Sequence, residues 1–211
     1  PSDPGRYWAK WILQDPNGNV FGPVEDPEGV LRVDIMVIEK DAYKYPKVKY
    51  SFYDGYCSAV WSSNAGVSLC SAPGNQFQYG SVYRDVASIL EGESEENEPA
   101  LIMIPAEGEN GFIRGVFPPI KVAAGDFFFA WVGCIEGNIN CDVTFEFSYL
   151  DEEGKIINLA SWQQKYDGEF EKAYVNLNPL EGETVQFVLI VRNNGMSLED
   201  VAFWLTPSIR R

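Results

Sequence analysis

Two short runs in this sequence carry the groups that saccharide recognition uses. Trp162-Gln-Gln-Lys-Tyr166-Asp167 combines two aromatic rings with the amide of Gln164 and the carboxylate of Asp167. Trp61-Ser-Ser-Asn64 is a smaller version of the same combination. Sugar C–H faces stack on rings, while hydroxyls need amide or carboxylate partners. Each tryptophan also has a structural alternative, in which Trp61 packs beside a disulfide and Trp162 caps the core. Trp131 and Trp204 lie in apolar runs and read as core.

Other chemistries are poorly supplied. The sequence has no His, which removes Ser-His-Asp and Cys-His catalysis and His metal ligands together. A glycosidase needs two carboxylates about 5 to 9.5 Å apart. With 31 Asp plus Glu, some pair meets that distance by chance, and Asp142 and Glu146 on one strand face are no more than such a pair. No enzyme is expected. No D-x-D-x-D-G loop for calcium is present. Asp15-Pro-Asn-Gly-Asn19 and Asp151-Glu-Glu-Gly154 read as turns instead.

Only 16 Lys plus Arg offset the acids in the 211 residues, so the formal net charge is −15. That charge repels phosphate backbones and excludes nucleic-acid binding through a basic patch. No run of 18 apolar residues exists, so no membrane-spanning helix is expected. The cysteines fall as Cys57 and Cys70, then Cys134 and Cys141. Four cysteines allow three pairings. The simplest is two local loops, Cys57–Cys70 and Cys134–Cys141; the rival, a zinc site, usually has C-x2-C knuckles. Disulfides imply an oxidising, extracellular setting, and a start at Pro1 fits a secreted protein after signal-peptide removal.

The elements that must position these groups are strands. Val143, Phe145, Phe147 and Tyr149 alternate with Asp142, Thr144, Glu146 and Ser148, the period of a half-buried strand. Residues 185–191 and 31–37 repeat the pattern. Asp126–Cys134 is near-continuously apolar and predicts a strand buried on both faces. Val82–Leu90 is the only modest helix candidate. Glu91–Glu98, with five Glu in eight residues, predicts a solvated loop. Roughly twelve strand-like segments separated by Gly, Pro and Asp turns predict an all-β sandwich or barrel.

Residues 170–209 also carry a resemblance. Tyr174-Val-Asn-Leu177, Pro179-Leu-Glu-Gly182 and Thr184–Val191 resemble the strand, turn and central strand of galactose-binding-like jelly rolls. Asp200-Val-Ala-Phe-Trp204 and Pro207-Ser-Ile209 resemble their closing strand. The wider layout from Cys57 is similar to modules of secreted bacterial surface proteins. The resemblance implies a jelly-roll-type antiparallel β-sandwich over residues 46–211, compatible with a structural calcium ion and no other cofactor. Residues 1–45 form an N-terminal strand-bearing extension outside it.

Two functions follow as expectations. The first is a non-catalytic surface building block acting through protein–protein contacts, self-associating into filaments by strand addition. Tyr7, Trp8, Trp11, Ile12 and Leu13 would be the added strand. The alternative is a carbohydrate-binding module with a glycan partner, its candidate residues being Trp61, Trp162, Gln164, Tyr166 and Asp167.

Overall fold

The structure, a computed structural model, describes residues 5–21, 30–37, 46–68, 70, 79–92, 94–95, 98–195 and 199–211. The chain divides into two compact units, Pro1–Pro46 and Lys47–Arg211.

In the first unit, β1 (Gly5–Gln14) pairs antiparallel with β2 (Val20–Phe21) and β3 (Val30–Val37). The turn after β1 is closed by Asp15, whose carboxylate accepts the amides of Asn17 and Asn19 and the Asn19 side chain, each at 2.8 Å. Residues Gly5–Ile12 are paired with β3 of the same chain. The segment expected to be donated to a neighbour is thus already held as a strand of its own sheet. Addition to another chain would have to use a backbone edge that β3 does not occupy. The side chains of Tyr7, Trp8 and Ile12 lie outside the described residues.

The second unit is an antiparallel β-sandwich. Its strands are β4 (Val48–Ser51), β5 (Val60–Ser63), β6 (Gly66–Ser68), β7 (Ser81–Asp85), β8 (Ile89–Leu90), β9 (Ser94–Glu95), β10 (Ala100–Ile104) and β11 (Phe112–Val116). They continue with β12 (Ile120–Lys121), β13 (Phe127–Cys134), β14 (Asp142–Leu150), β15 (Ile156–Lys165), β16 (Glu171–Asn176), β17 (Thr184–Asn193) and β18 (Ala202–Arg210). One sheet runs β16-β13-β18-β10-β7, with β4 also on β18; the other runs β15-β14-β17-β11-β5-β6, with β12 also on β17. The strand–turn–strand run from β16 through the turn at Asn178–Leu180 to β17, and the closing strand β18, lie where the resemblance put them. Both disulfides pair locally, Cys57–Cys70 and Cys134–Cys141, with Cα atoms 5.0 and 6.3 Å apart.

Alternation fills the space between the sheets. Phe128, Ala130 and Val132 of β13 face Val143, Phe145 and Phe147 of β14 and Phe187 of β17 in one core cluster. Phe128 stacks on Phe147 at 3.9 Å between centroids, Phe147 on Phe187 at 5.1 Å, and Trp204 meets Phe145 edge-on at 5.0 Å. Offset and edge-to-face rings add about 0.5–1.5 kcal/mol per pair beyond their buried area.

Three expectations are corrected. Val82–Leu90 is no helix: β7 pairs with β10 along its whole length, and a turn leads to β8. The β-branched Val82 and the aromatic Tyr83 suit that pairing better than a helix. The Asp126–Cys134 run is not buried on both faces, since Phe127, Phe129 and Trp131 are only half-buried. Trp131 accordingly leaves the sandwich core, whereas Trp204 is fully buried in it.

A second, smaller core covers part of the outer face of the β13 sheet. Leu90, Ile102, Phe203 and Leu205 form it, with Trp131 and Phe170 packed at its border. Deleting a ring at the centre of the main core leaves a cavity that the stacked neighbours cannot fill. Phe147→Ala is expected to lower unfolding free energy by about 3–5 kcal/mol, read from urea midpoints at unchanged slope.

Candidate functional site

The residues singled out by sequence separate in the structure. Trp61 is fully buried; its indole N–H donates to the Tyr56 carbonyl at 2.7 Å and its ring meets Phe117 edge-on. It therefore offers no face to a ligand, and the reading of Trp61 as a binding residue is corrected. The cause is β5, which pairs with β11 and directs Trp61 inward against Gly115, where any side chain would collide with the indole.

Trp162, Gln164, Tyr166 and Asp167 do lie together at the end of β15. Trp162 is half-buried and packs edge-on to Trp204 at 6.1 Å, so it caps the core. Gln164 donates its amide to Glu171 and to the Gln163 carbonyl, each at 3.1 Å. The Tyr166 hydroxyl donates to Glu136 at 2.6 Å. Asp167 is exposed, and its carboxylate accepts the Glu169 amide. The ribbon end is thus tied into the fold by its own polar groups.

What holds that loop is Glu91, the first residue of the acidic run. The expected solvated loop is corrected at its first residue, because Glu91 is 1% exposed, whereas Gly92 and Glu98 are exposed. Its carboxylate accepts the backbone N–H groups of Cys134 at 2.8 Å, Asp167 at 3.0 Å and Gly168 at 3.2 Å. Burial pushes its pKa up, against the three N–H groups that favour the charged form. Gly133 is required beneath it: a Cβ there would meet Glu91 Oε1, Phe170 and Phe203. Glu93 and Glu96 lie outside the described residues.

The half of the outer face that this cover leaves open is aromatic. In β13, Phe127, Phe129 and Trp131 point outward, opposite Asn176, Tyr174 and Lys172 of β16. Tyr174 is 52% exposed, and its ring lies 5.1 Å from Phe127 at a tilt of 34°. On the other side of β13, a bulge sets Thr206 and Pro207 of β18 against the single residue Ala130. Thr206 adopts φ 50° there, and its hydroxyl oxygen accepts Nη2 of Arg210 at 3.2 Å. Arg210 also donates Nε to Ser208, and its guanidinium lies 4.1 Å above the Phe129 ring. The result is a row of rings bordered by hydrogen-bonding groups.

Sequence reasoning missed this row. It took the apolar run of β13 as evenly buried, although the alternation of Lys172, Tyr174 and Asn176 with Ala173 and Val175 in β16 marks a one-sided edge strand.

A concavity of about 620 Å³ opens elsewhere, beside the β14–β15 turn. Tyr149, Asp151, Glu152, Glu183 and Gln186 line it, but Tyr149 packs against the core and offers little ring face. The acidic pair weighed as a glycosidase is committed elsewhere. Glu146 pairs with Arg192 at 2.6 Å and Asp142 with Lys165 at 2.9 Å. Among the described residues no group of three His, Cys, Asp or Glu side chains is placed to hold a metal ion. No described helix is long and apolar enough to cross a membrane, and the two disulfides fit an extracellular domain.

No family model and no curated protein matches the sequence. Solved structures do. One is a carbohydrate-binding module described within a β-sandwich superfamily: 13% identity, TM-score 0.48, covering 98% of this chain and 74% of that one. A module from Clostridium perfringens in complex with methyl-galactose shows 14% identity and TM-score 0.48 over 76% of this chain and 98% of that one. A third, in complex with β-1,4-galactotriose, shows 13% identity and TM-score 0.47 over 80% and 100%.

One further buried carboxylate makes the sandwich pH-sensitive. Asp200 is 2% exposed; Oδ1 accepts the Asp142 amide at 3.0 Å, while Oδ2 has no partner among the described residues. Burial raises its pKa from 3.8 to about 6, with the Asp142 charge adding to the rise. Asp200 and Glu91 both hold a proton more tightly folded than unfolded. Between about pH 4 and 6 the folded state binds more protons, so stability falls as pH rises through that window. For Asp200 the loss is on the order of 2–3 kcal/mol. Asp126 and Asp142, whose pKa values are lowered, act only at more acidic pH, where their contributions are lost as pH falls. Asp200→Asn is expected to flatten most of the decline in urea-unfolding free energy between pH 4 and 6.5, measured against the parent.

Proposed function

We propose that the chain is a non-catalytic carbohydrate-binding protein whose sandwich presents a sugar to the Phe127–Tyr174 face. The observation that carries this reading is the exposed Tyr174 ring beside Phe127 on a rigid two-strand support. Stacking needs an accessible ring face held at fixed tilt, and the pairing of edge strand β16 with β13 supplies it. Polar groups at the rim, Asn176 among them, provide the directional partners that hydroxyls require.

A glycan array probed with the whole chain tests this. Tyr174→Ala is expected to weaken the retained glycan about tenfold or more, the effect of losing one stacking ring and its buried area. Trp162→Ala and Tyr166→Ala serve as controls. Loss of retention in those two, with Tyr174→Ala behaving as the parent, would move the site to the end of β15. No retained glycan would end the reading.

A second reading has its own observation. On the β1–β2 hairpin, Trp11 is 62% exposed, Leu13 43% and Val20 51%. Apolar side chains grouped on one hairpin suit contact with another protein at a cell surface, including a second copy of this chain. Light scattering of the chain with and without residues 1–20 checks it. A larger particle that falls to monomer mass on deletion supports self-association, and a monomer in both cases removes it.

A further inference from the structure

The cations of this chain are few, and two of them stand over the same ring. Arg210 lies 4.1 Å from the Phe129 centroid, and Lys172 Nζ lies 5.7 Å from that centroid and 5.8 Å from the Tyr174 centroid. Neither makes an ion pair among the described residues. Arg210 donates to Ser208 and Thr206, which leaves part of its five-donor fork unengaged. Lys172 is exposed. Alternation in β16 sends the neighbouring Glu171 to the opposite face, where it accepts the Gln164 amide. Among the described residues, Glu98 is the carboxylate that acts on Arg210 at longer range.

A neighbouring basic cleft is largely neutralised. Val48 of β4 lies opposite Arg210, and beside it opens a cleft of about 430 Å³ lined by Lys47, Val48, Lys49 and Arg211. Asp126 takes up Lys49 and Arg211, which leaves Lys47 exposed at the cleft. In a chain of net charge −15, Lys172 and Arg210 are two cations without an ion pair among the described residues at one aromatic face. The excess of carboxylates repels an anion over much of the surface, and these two cations oppose that repulsion at the ring row.

Resting on the carbohydrate reading above, we infer that this face selects an anionic saccharide, its ring on Tyr174 and Phe127 and its acid group between Lys172 and Arg210. The shared chemistry is a pyranose bearing a carboxylate or a sulfate. Charge-assisted hydrogen bonds from guanidinium and ammonium recognise either group, and the aromatic faces recognise the ring that carries it.

Titration calorimetry at low salt with four probes separates the cases: trigalacturonate, its fully methyl-esterified form, a hyaluronan tetrasaccharide and a sulfated galacto-oligosaccharide. Esterification removes the charge and keeps the ring. At least one anionic probe is expected to bind about tenfold more tightly than the neutral ester, with the preference shrinking as salt rises. Tighter binding of the sulfated probe than of both carboxylated ones would assign the acid group as sulfate, the reverse as carboxylate; either supports the inference. Lys172→Gln is expected to remove most of the preference, and Lys155→Gln, on the exposed β14–β15 turn, none of it. Arg210→Gln is read only if its thermal midpoint matches the parent, because Arg210 also braces the bulge. Equal binding of charged and neutral probes, or a preference that survives Lys172→Gln, overturns the anion selectivity while leaving the stacking face intact. Neutral glycans retained through Tyr174 with no anionic probe bound does the same. No saccharide of any charge bound removes both.

Discussion

A single carboxylate, buried where water cannot reach it, decides which part of this sandwich is covered and which is open. Glu91 accepts three backbone N–H groups from two segments far apart in sequence, β13 and the loop after β15. An uncompensated buried charge is costly, and removal of one partner leaves the others stranded. The arrangement therefore specifies position more than it adds stability. It places Leu90 over Phe203 and Ile102, and brings Phe170 against Trp131. Where that cover stops, beyond Trp131, the ring row begins. Cover and platform are two halves of one sheet face, divided by where Glu91 can reach.

Asp126 plays a matching part at the other end of β13. It is buried, accepts the Ala123 amide at 2.8 Å, and binds Lys49 and Arg211. Burial works to raise its pKa, but the hydrogen bonds from Arg211 and Lys49 outweigh it and hold the group below the ordinary carboxylate range. The two acids solve burial differently. Glu91 relies on neutral backbone donors and stays hard to ionise, whereas Asp126 relies on cations and stays charged. Much of the chain's negative charge remains a solvating surface, yet the acids that shape the molecule are those withdrawn from it.

The sandwich was legible in the sequence because period-two alternation is a direct record of one-sided burial. Val143, Phe145 and Phe147 face inward as that period requires, and of the three pairings the cysteines allow, the structure has the simplest, two local loops. The site was not legible, for two physical reasons. A strand whose outer residues are aromatic reads as buried on both sides, since rings are apolar whether they fill a core or line a surface; Phe127 and Phe129 were lost in that way. An acidic run reads as solvated, since sequence records charge but not the backbone amides that fold back to meet it; Glu91 was lost in that way. For Trp61 the sequence left a surface and a core reading open. Its polar neighbours Ser62 and Asn64 suggested a surface, while β5 turns the indole into the core beside Gly115.

The sandwich begins and ends at one place. The Lys47 amide donates to the Arg211 carbonyl at 2.7 Å, and the Arg211 amide returns the bond to Lys47 at 3.0 Å. Tension drawn between these two residues would meet those bonds in succession, as a zipper does, and not all together in shear. The load would then fall on the Asp126 clamp, which ties Lys49 and Arg211 to β13 behind the opening seam. Adjacent ends also make the sandwich a closed cassette: a short connection from residue 211 to 47 would leave every strand in place, and new ends could be opened at an exposed turn such as Asp151–Gly154. Under such a load the buried Asp126 would be the anchor that its part-exposed partners Lys49 and Arg211 pull against.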